Sequence, residues 1–147
     1  RSVTGPTWGG CLEVLQWVLT AGRFPADPHV LDGAVMLIET SEMLPSASEV
    51  AWILRAMGER GLLAAVDAVL VARPPASSLE DRRDAPARAR FRAEQRDAVI
   101  ETVGRYNPEA VICVGAPFGH TRPQWIVPHG GAMTLDGASH RITASYA

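Results

Sequence analysis

The chain has 147 residues, 47% of them hydrophobic, with a formal net charge of −2 and all 14 basic residues arginine. That apolar share suits one domain with a real core and excludes a disordered chain. The mildly acidic balance argues against a nucleic-acid surface, and no apolar run is long enough to span a membrane as a helix.

Gly5-Pro-Thr-Trp-Gly-Gly10 reads as a turn-rich opening. Cys11 to Thr20 reads as a helix, with Leu12, Leu15 and Leu19 on one face and Val18 beside them. Gly22, Pro25 and Pro28 break it. Ala34 to Ile38 is a continuous apolar run, the pattern of a buried strand, and it stops at Glu39. Ser46 and Glu49 form a capping box for a helix running to about Arg60, with Val50, Ile53, Leu54 and Met57 inward and Gly61 as its stop.

Ala68 to Val71 is the next strand, ending at Arg73-Pro-Pro75. Residues 76–90 read as a charged surface loop containing Pro86, and Ala87 to Tyr106 as a helix closed by Asn107-Pro108. Ala110 to Val114 is a third buried strand. Short pieces follow at Trp125–Val127, Ala132–Leu135 and Arg141–Ala144, with Asp136-Gly137 marking a hairpin. Strands alternating with helices, then a small antiparallel set, predict an α/β domain with a mixed sheet.

In such sheets, ligands gather beyond the carboxyl ends of the strands. Glu39, Arg73 and the Phe118-Gly-His120-Thr121 stretch all fall there. Imidazole is the usual general base near neutrality, and a carboxylate on one ring nitrogen orients the other toward a nucleophile. Glu39 and His120 are therefore the candidate pair, each also readable as an ordinary strand-end or loop residue. Ser41, Ser46, Ser48, Ser77, Ser78, Ser139 and Ser145 offer no Gly-x-Ser-x-Gly elbow. His29, His120, His129 and His140 show no metal-ligand spacing, so no metal is expected.

Trp8, Gly9 and Gly10 at a helix start could bind an anion through backbone N–H groups, with Trp8 stacking on it; the plainer reading is a loop-to-helix junction with a core Trp. Arg73 could meet a carboxylate or phosphate, or be a strand-end surface charge. Trp17 and Trp52 read as core, the arginines of 82–96 as a solvated face interleaved with acids, and Cys11 and Cys113 as small buried hydrophobes rather than a disulfide, which fits a reducing cytoplasm.

Four phrases occur together and in order: Trp8-Gly-Gly-Cys-Leu-Glu-Val-Leu-Gln-Trp17, Val35-Met-Leu-Ile-Glu-Thr-Ser-Glu42, Val71-Ala-Arg-Pro74, and Phe118-Gly-His-Thr-Arg-Pro-Gln124 running into Pro128-His-Gly-Gly131. They resemble the C-terminal domain of the LD-carboxypeptidase family of serine peptidases, with wording closer to its microcin C immunity branch than to its murein-recycling branch. Ala72 and Pro117 depart from the family's usual Gly and acidic residue.

The resemblance implies a swivelling β/β/α-like fold for residues 1–147, and a Ser-Glu-His triad split between two domains. Glu39 and His120 would be its Glu and His, 81 positions apart. An N-terminal domain would supply the serine elbow and oxyanion hole. Trp8, Gly9, Gly10, Arg73 and Thr121 are the candidate substrate contacts. The implied substrate is a small peptide or peptidyl- or aminoacyl-nucleotide, with a murein tetrapeptide as the alternative. No cofactor is implied, and members are commonly homodimers. A catalytically silent binding or dimerisation domain is the remaining reading for the chain alone.

Overall fold

The computed structural model describes residues 1–23 and 26–146. Pro25, read above as a helix breaker, lies outside them. The first element corrects the expected turn-rich opening: Ser2–Cys11 is a ten-residue strand, β1. Gly5 and Gly9 serve contact rather than turning. A Cβ on Gly5 would collide with the carbonyl of Gly33, and one on Gly9 with the carbonyl of Leu37, so two chain segments approach as only glycine permits.

β1 leads straight into α1 (Leu12–Thr20), then a 3-10 turn (Pro28–Leu31), β2 (Val35–Glu39), α2 (Ala47–Glu59), α3 (Leu62–Ala65) and β3 (Ala68–Ala72). The long helix α4 (Ala85–Tyr106), the strand β4 (Val111–Ala116) and the hairpin strands β5 (Ala132–Asp136) and β6 (Arg141–Ala144) complete the order. The Ser46–Glu49 capping box opens α2 as expected. By contrast, α4 starts inside the segment read as a loop. Asp84 accepts from the Ala87 N–H and Pro86 stands in the first turn, where its missing donor costs nothing. Trp125–Val127 is not a strand; the Trp125 N–H instead donates to the Pro117 carbonyl at 2.6 Å.

Six strands form one mixed sheet in the order β4-β3-β2-β1-β5-β6. β1 changes partner along its length. Ser2–Pro6 pairs antiparallel with β5, and Thr7–Cys11 pairs parallel with β2. The sheet curls as a result, and its central strands β2 and β3 are buried on both faces, whereas β4, expected as a buried strand, lies at the sheet edge and is partly exposed. Met36, Ile38, Val69 and Val71 meet α1, α2 and α4 in one core. Val35, Leu37, Leu70 and Phe118 meet Met133 and Leu135 of β5 in the other. Continuous apolar runs are what such doubly covered strands require. This is the mixed α/β architecture anticipated, with helices on one side and a curled β layer on the other.

Trp17 and Trp52 depart from expectation: they are 61% and 67% exposed, on the outer faces of α1 and α2. Among the described residues no helix is long and apolar enough to cross a membrane.

Candidate active site

Glu39 is the last residue of β2 and is buried, with the run Val35–Ile38 fixing the strand beneath it. A carboxylate so placed needs hydrogen-bond donors. The loop after β4 supplies them. Gly115, in the left-handed region at φ 86°, is an extra residue against β3, since Val71 pairs with Val114 but Ala72 with Ala116. Phe118 then anchors the loop in the sheet's second core. Gly119 turns it at φ 70°, and a Cβ there would strike the Glu39 carboxylate.

With that space open, Glu39 Oε2 accepts from the His120 backbone N–H at 3.0 Å and from the ring Nδ1 at 2.7 Å. Nε2 is left facing outward, and the imidazole is 39% exposed. Glu42 Oε2 lies 3.7 Å from Nε2, within ion-pair reach once the ring is charged. The hydrogen bond to Glu39 holds the His120 pKa above the ordinary imidazole value; partial burial opposes this, and the charges of Glu39, Glu42 and Glu13 add to it.

Three neighbours escaped the sequence reading. Cys11 is the register partner of Glu39 across β1 and β2, so it borders the pair instead of serving as a remote hydrophobe. Glu13 is buried at the start of α1; its Oε1 accepts from the Ser41 N–H at 3.0 Å and hydroxyl at 2.8 Å, and its Oε2 from Cys11 Sγ at 3.2 Å. It ties the chain after Glu39 to α1. Gln95, buried on α4, donates to the Pro45 carbonyl at 2.5 Å and accepts from the Thr40 hydroxyl at 3.3 Å. An acid or amide interrupting an apolar helix face was the available signal for both.

Cys11, Glu39 and His120 each place a ligand atom within 4.8 Å of the other two. The donor set would suit a soft divalent ion. Glu39 and His120 already satisfy each other, however, and burial, helped by Glu13, pushes the Cys11 thiol up to about 11, so the neutral-pH thiol is protonated.

Arg73 and Thr121 meet beside this pair. Arg73 donates from Nε to the Thr121 hydroxyl at 3.2 Å and from Nη2 to the Arg122 carbonyl at 2.6 Å, bracing the His120 loop. Trp8, Gly9 and Gly10 lie inside β1, not at a loop-to-helix junction, and Gly9 and Gly10 pair with Leu37 and Ile38. Trp8 is half-buried against the helix-side core. A largely apolar cavity of about 450 Å³ opens beside Glu39 and Arg73, walled by Val71 and by Ala93 and Val99 of α4.

The arrangement is a buried carboxylate, an imidazole oriented by it, and an outward Nε2 able to take and return a proton. A family model described as the LD-carboxypeptidase C-terminal domain matches residues 4–135. Among solved structures, the chain is similar to an MccF-like protein from Streptococcus pneumoniae in complex with AMP, at 23% identity and a TM-score of 0.76, covering 99% of this chain and 41% of that one. It is also similar to the microcin C7 self-immunity protein MccF in complex with aspartyl sulfamoyl adenosine (16%, TM-score 0.70, 99% and 39%). A third is muramoyltetrapeptide carboxypeptidase from Oxalobacter formigenes (20%, TM-score 0.70, 97% and 44%). The chain thus spans 39–44% of the length of these structures. Among curated protein sequences no significant match is found.

Proposed function

The chain belongs to the LD-carboxypeptidase C-terminal domain family, and from that premise we propose that it supplies the Glu and His of a Ser-Glu-His triad in a serine carboxypeptidase. The observation that carries this reading is the 2.7 Å contact between His120 Nδ1 and Glu39 Oε2, with Nε2 left outward. The serine comes from an N-terminal domain of the full-length enzyme, which acts as a cytoplasmic homodimer. Its Oγ attacks an amide carbonyl while His120 Nε2 takes the hydroxyl proton. The tetrahedral intermediate collapses as the imidazolium passes that proton to the leaving amine. Water then repeats the sequence on the acyl-enzyme. Glu39 keeps Nδ1 protonated and Nε2 basic, and stabilises the ring's charged form. Trp8, Gly9, Gly10, Arg73 and Thr121 contact the substrate around this pair.

The substrate is a peptidyl- or aminoacyl-nucleotide cut at its amide. The solved relatives in complex with AMP and with aspartyl sulfamoyl adenosine support this. The likeness to a muramoyltetrapeptide carboxypeptidase supports a murein tetrapeptide as the second reading. In the full-length protein, Glu39→Gln and His120→Ala should each lower kcat by on the order of 10³-fold while folding is retained. Wild-type turnover in both variants would refute the triad assignment and leave a binding or dimerisation domain.

A further inference from the structure

Arg73, Arg88, Arg92 and Arg122 line one polar cavity of about 470 Å³, which His120 and Thr121 also border. They arrive from three places: the end of β3, the first turns of α4, and the loop after His120. Arg88 and Arg92 are four residues apart and so share a helix face. This corrects the reading of residues 82–96 as a uniformly solvated, acid-balanced face.

Three of the guanidiniums bond only to neutral oxygens. Arg73 reaches the Thr121 hydroxyl and Arg122 carbonyl, Arg88 the Arg83 carbonyl at 2.6 Å, and Arg92 the Pro74 carbonyl at 3.1 Å. Among the described residues none of the four makes a salt bridge. No acidic residue lines the cavity; of the acids that flank Arg88 and Arg92 in sequence, Asp81 pairs with Arg83, Asp84 caps α4 and Asp97 pairs with Arg96. The Arg92 pKa is lowered by burial and then by the charges of Arg73 and Arg88. Arg73, Arg88 and Arg92 are only partly exposed. Like charges gathered around one space, without a counter-ion, repel each other; an oxyanion among them turns repulsion into charge-assisted hydrogen bonding.

We propose that this cavity is a phosphate-binding site and, resting on the hydrolase reading above, that it holds a phosphate carried by the substrate while the scissile amide lies at His120. Phosphate is favoured over carboxylate because guanidinium forks from three directions offer more donors than two carboxylate oxygens can accept, whereas a phosphate monoester presents three oxygens and up to two charges.

The test is calorimetric titration of the 147-residue chain with AMP, inorganic phosphate and acetate at constant ionic strength. AMP and phosphate should compete for one saturable site, AMP the tighter, with acetate at least about tenfold weaker. Arg88→Ala with Arg92→Ala should weaken both phosphate ligands at least about tenfold at an unchanged circular dichroism spectrum. Should that pair disturb folding, Arg122→Ala on the exposed loop should still weaken them by about threefold or more. Absence of saturable phosphate binding, acetate binding as tightly, or binding indifferent to the arginine substitutions would overturn the site. AMP that fails to displace phosphate would overturn its assignment to the substrate. Binding is read without turnover, so the phosphate site survives even if Glu39→Gln leaves the full-length enzyme fully active.

Discussion

His120 donates twice to a single oxygen of Glu39, from the backbone N–H at 3.0 Å and from Nδ1 at 2.7 Å. The backbone bond fixes the loop and the ring bond fixes the tautomer, so one carboxylate oxygen sets both the position and the protonation of the imidazole.

Stability and catalysis should therefore respond oppositely to pH. The folded His120 pKa is raised, so the charged pair contributes fully below the ordinary histidine value and its contribution fades as pH climbs through the raised one. On the mechanism proposed above, turnover needs the neutral ring and should switch on over that same interval. An NMR titration of the His120 ring should give a midpoint above 6.5, and Glu39→Gln should bring it down. An unshifted midpoint in the variant would mean Glu39 does not govern the ring.

Gly119→Ala should damage the pair while leaving both of its residues unsubstituted. Its Cβ would occupy the space of the Glu39 carboxylate, at a left-handed φ of 70°. The expected result is a fall in kcat of at least about tenfold in the full-length enzyme, with a destabilisation of about 1–3 kcal/mol. A lowered His120 midpoint in the same titration would distinguish a displaced Glu39 from general loosening.

Gly9→Ala and Gly10→Ala should differ although the positions are adjacent. Both have positive φ, 138° and 148°, so both variants carry backbone strain. Only at Gly9 would the Cβ run into the Leu37 backbone; at Gly10 it would meet nothing within 4 Å. Thermal or urea unfolding should show Gly9→Ala the more destabilised, by about 1 kcal/mol or more. Equal losses would mean the β1–β2 approach tolerates a methyl group.

Cys11 should alkylate slowly for a thiol beside the Glu39–His120 pair. With its pKa pushed up to about 11, only about 0.1% is thiolate at pH 8. Its iodoacetamide rate, followed by mass spectrometry, should still be rising at pH 10. A plateau near pH 8 would contradict the burial argument.

Elements governed by local rules were legible in the sequence. The runs ending at Ile38 and Val71 are β2 and β3, the Ser46–Glu49 box opens α2, and Glu39 and His120 do meet. What escaped depended on distant partners. β1 carries Gly5, Pro6, Gly9 and Gly10, ordinary turn formers, yet its pairing with β2 and β5 outweighs local preference. Trp17 and Trp52, read as core from their place on helices, lie outside it because Leu12, Leu15, Val50 and Ile53 already fill it from the same helices. Glu13 and Gln95 stand out locally as polar residues on apolar helix faces, but the groups they bind lie 28 and 50 positions away, and no local pattern names them.

The change of partner within β1 also sets how the domain would carry mechanical force. β1 is the hydrogen-bonded link between the parallel block and the β5–β6 hairpin, and its two halves bond to opposite sides. Tension passed through the ladder hydrogen bonds from hairpin to block changes sides at the Pro6–Thr7 junction and runs there along covalent backbone. The core that joins Met133 and Leu135 to Val35, Leu37 and Leu70 is then the clasp that keeps the two regions from hinging about that point.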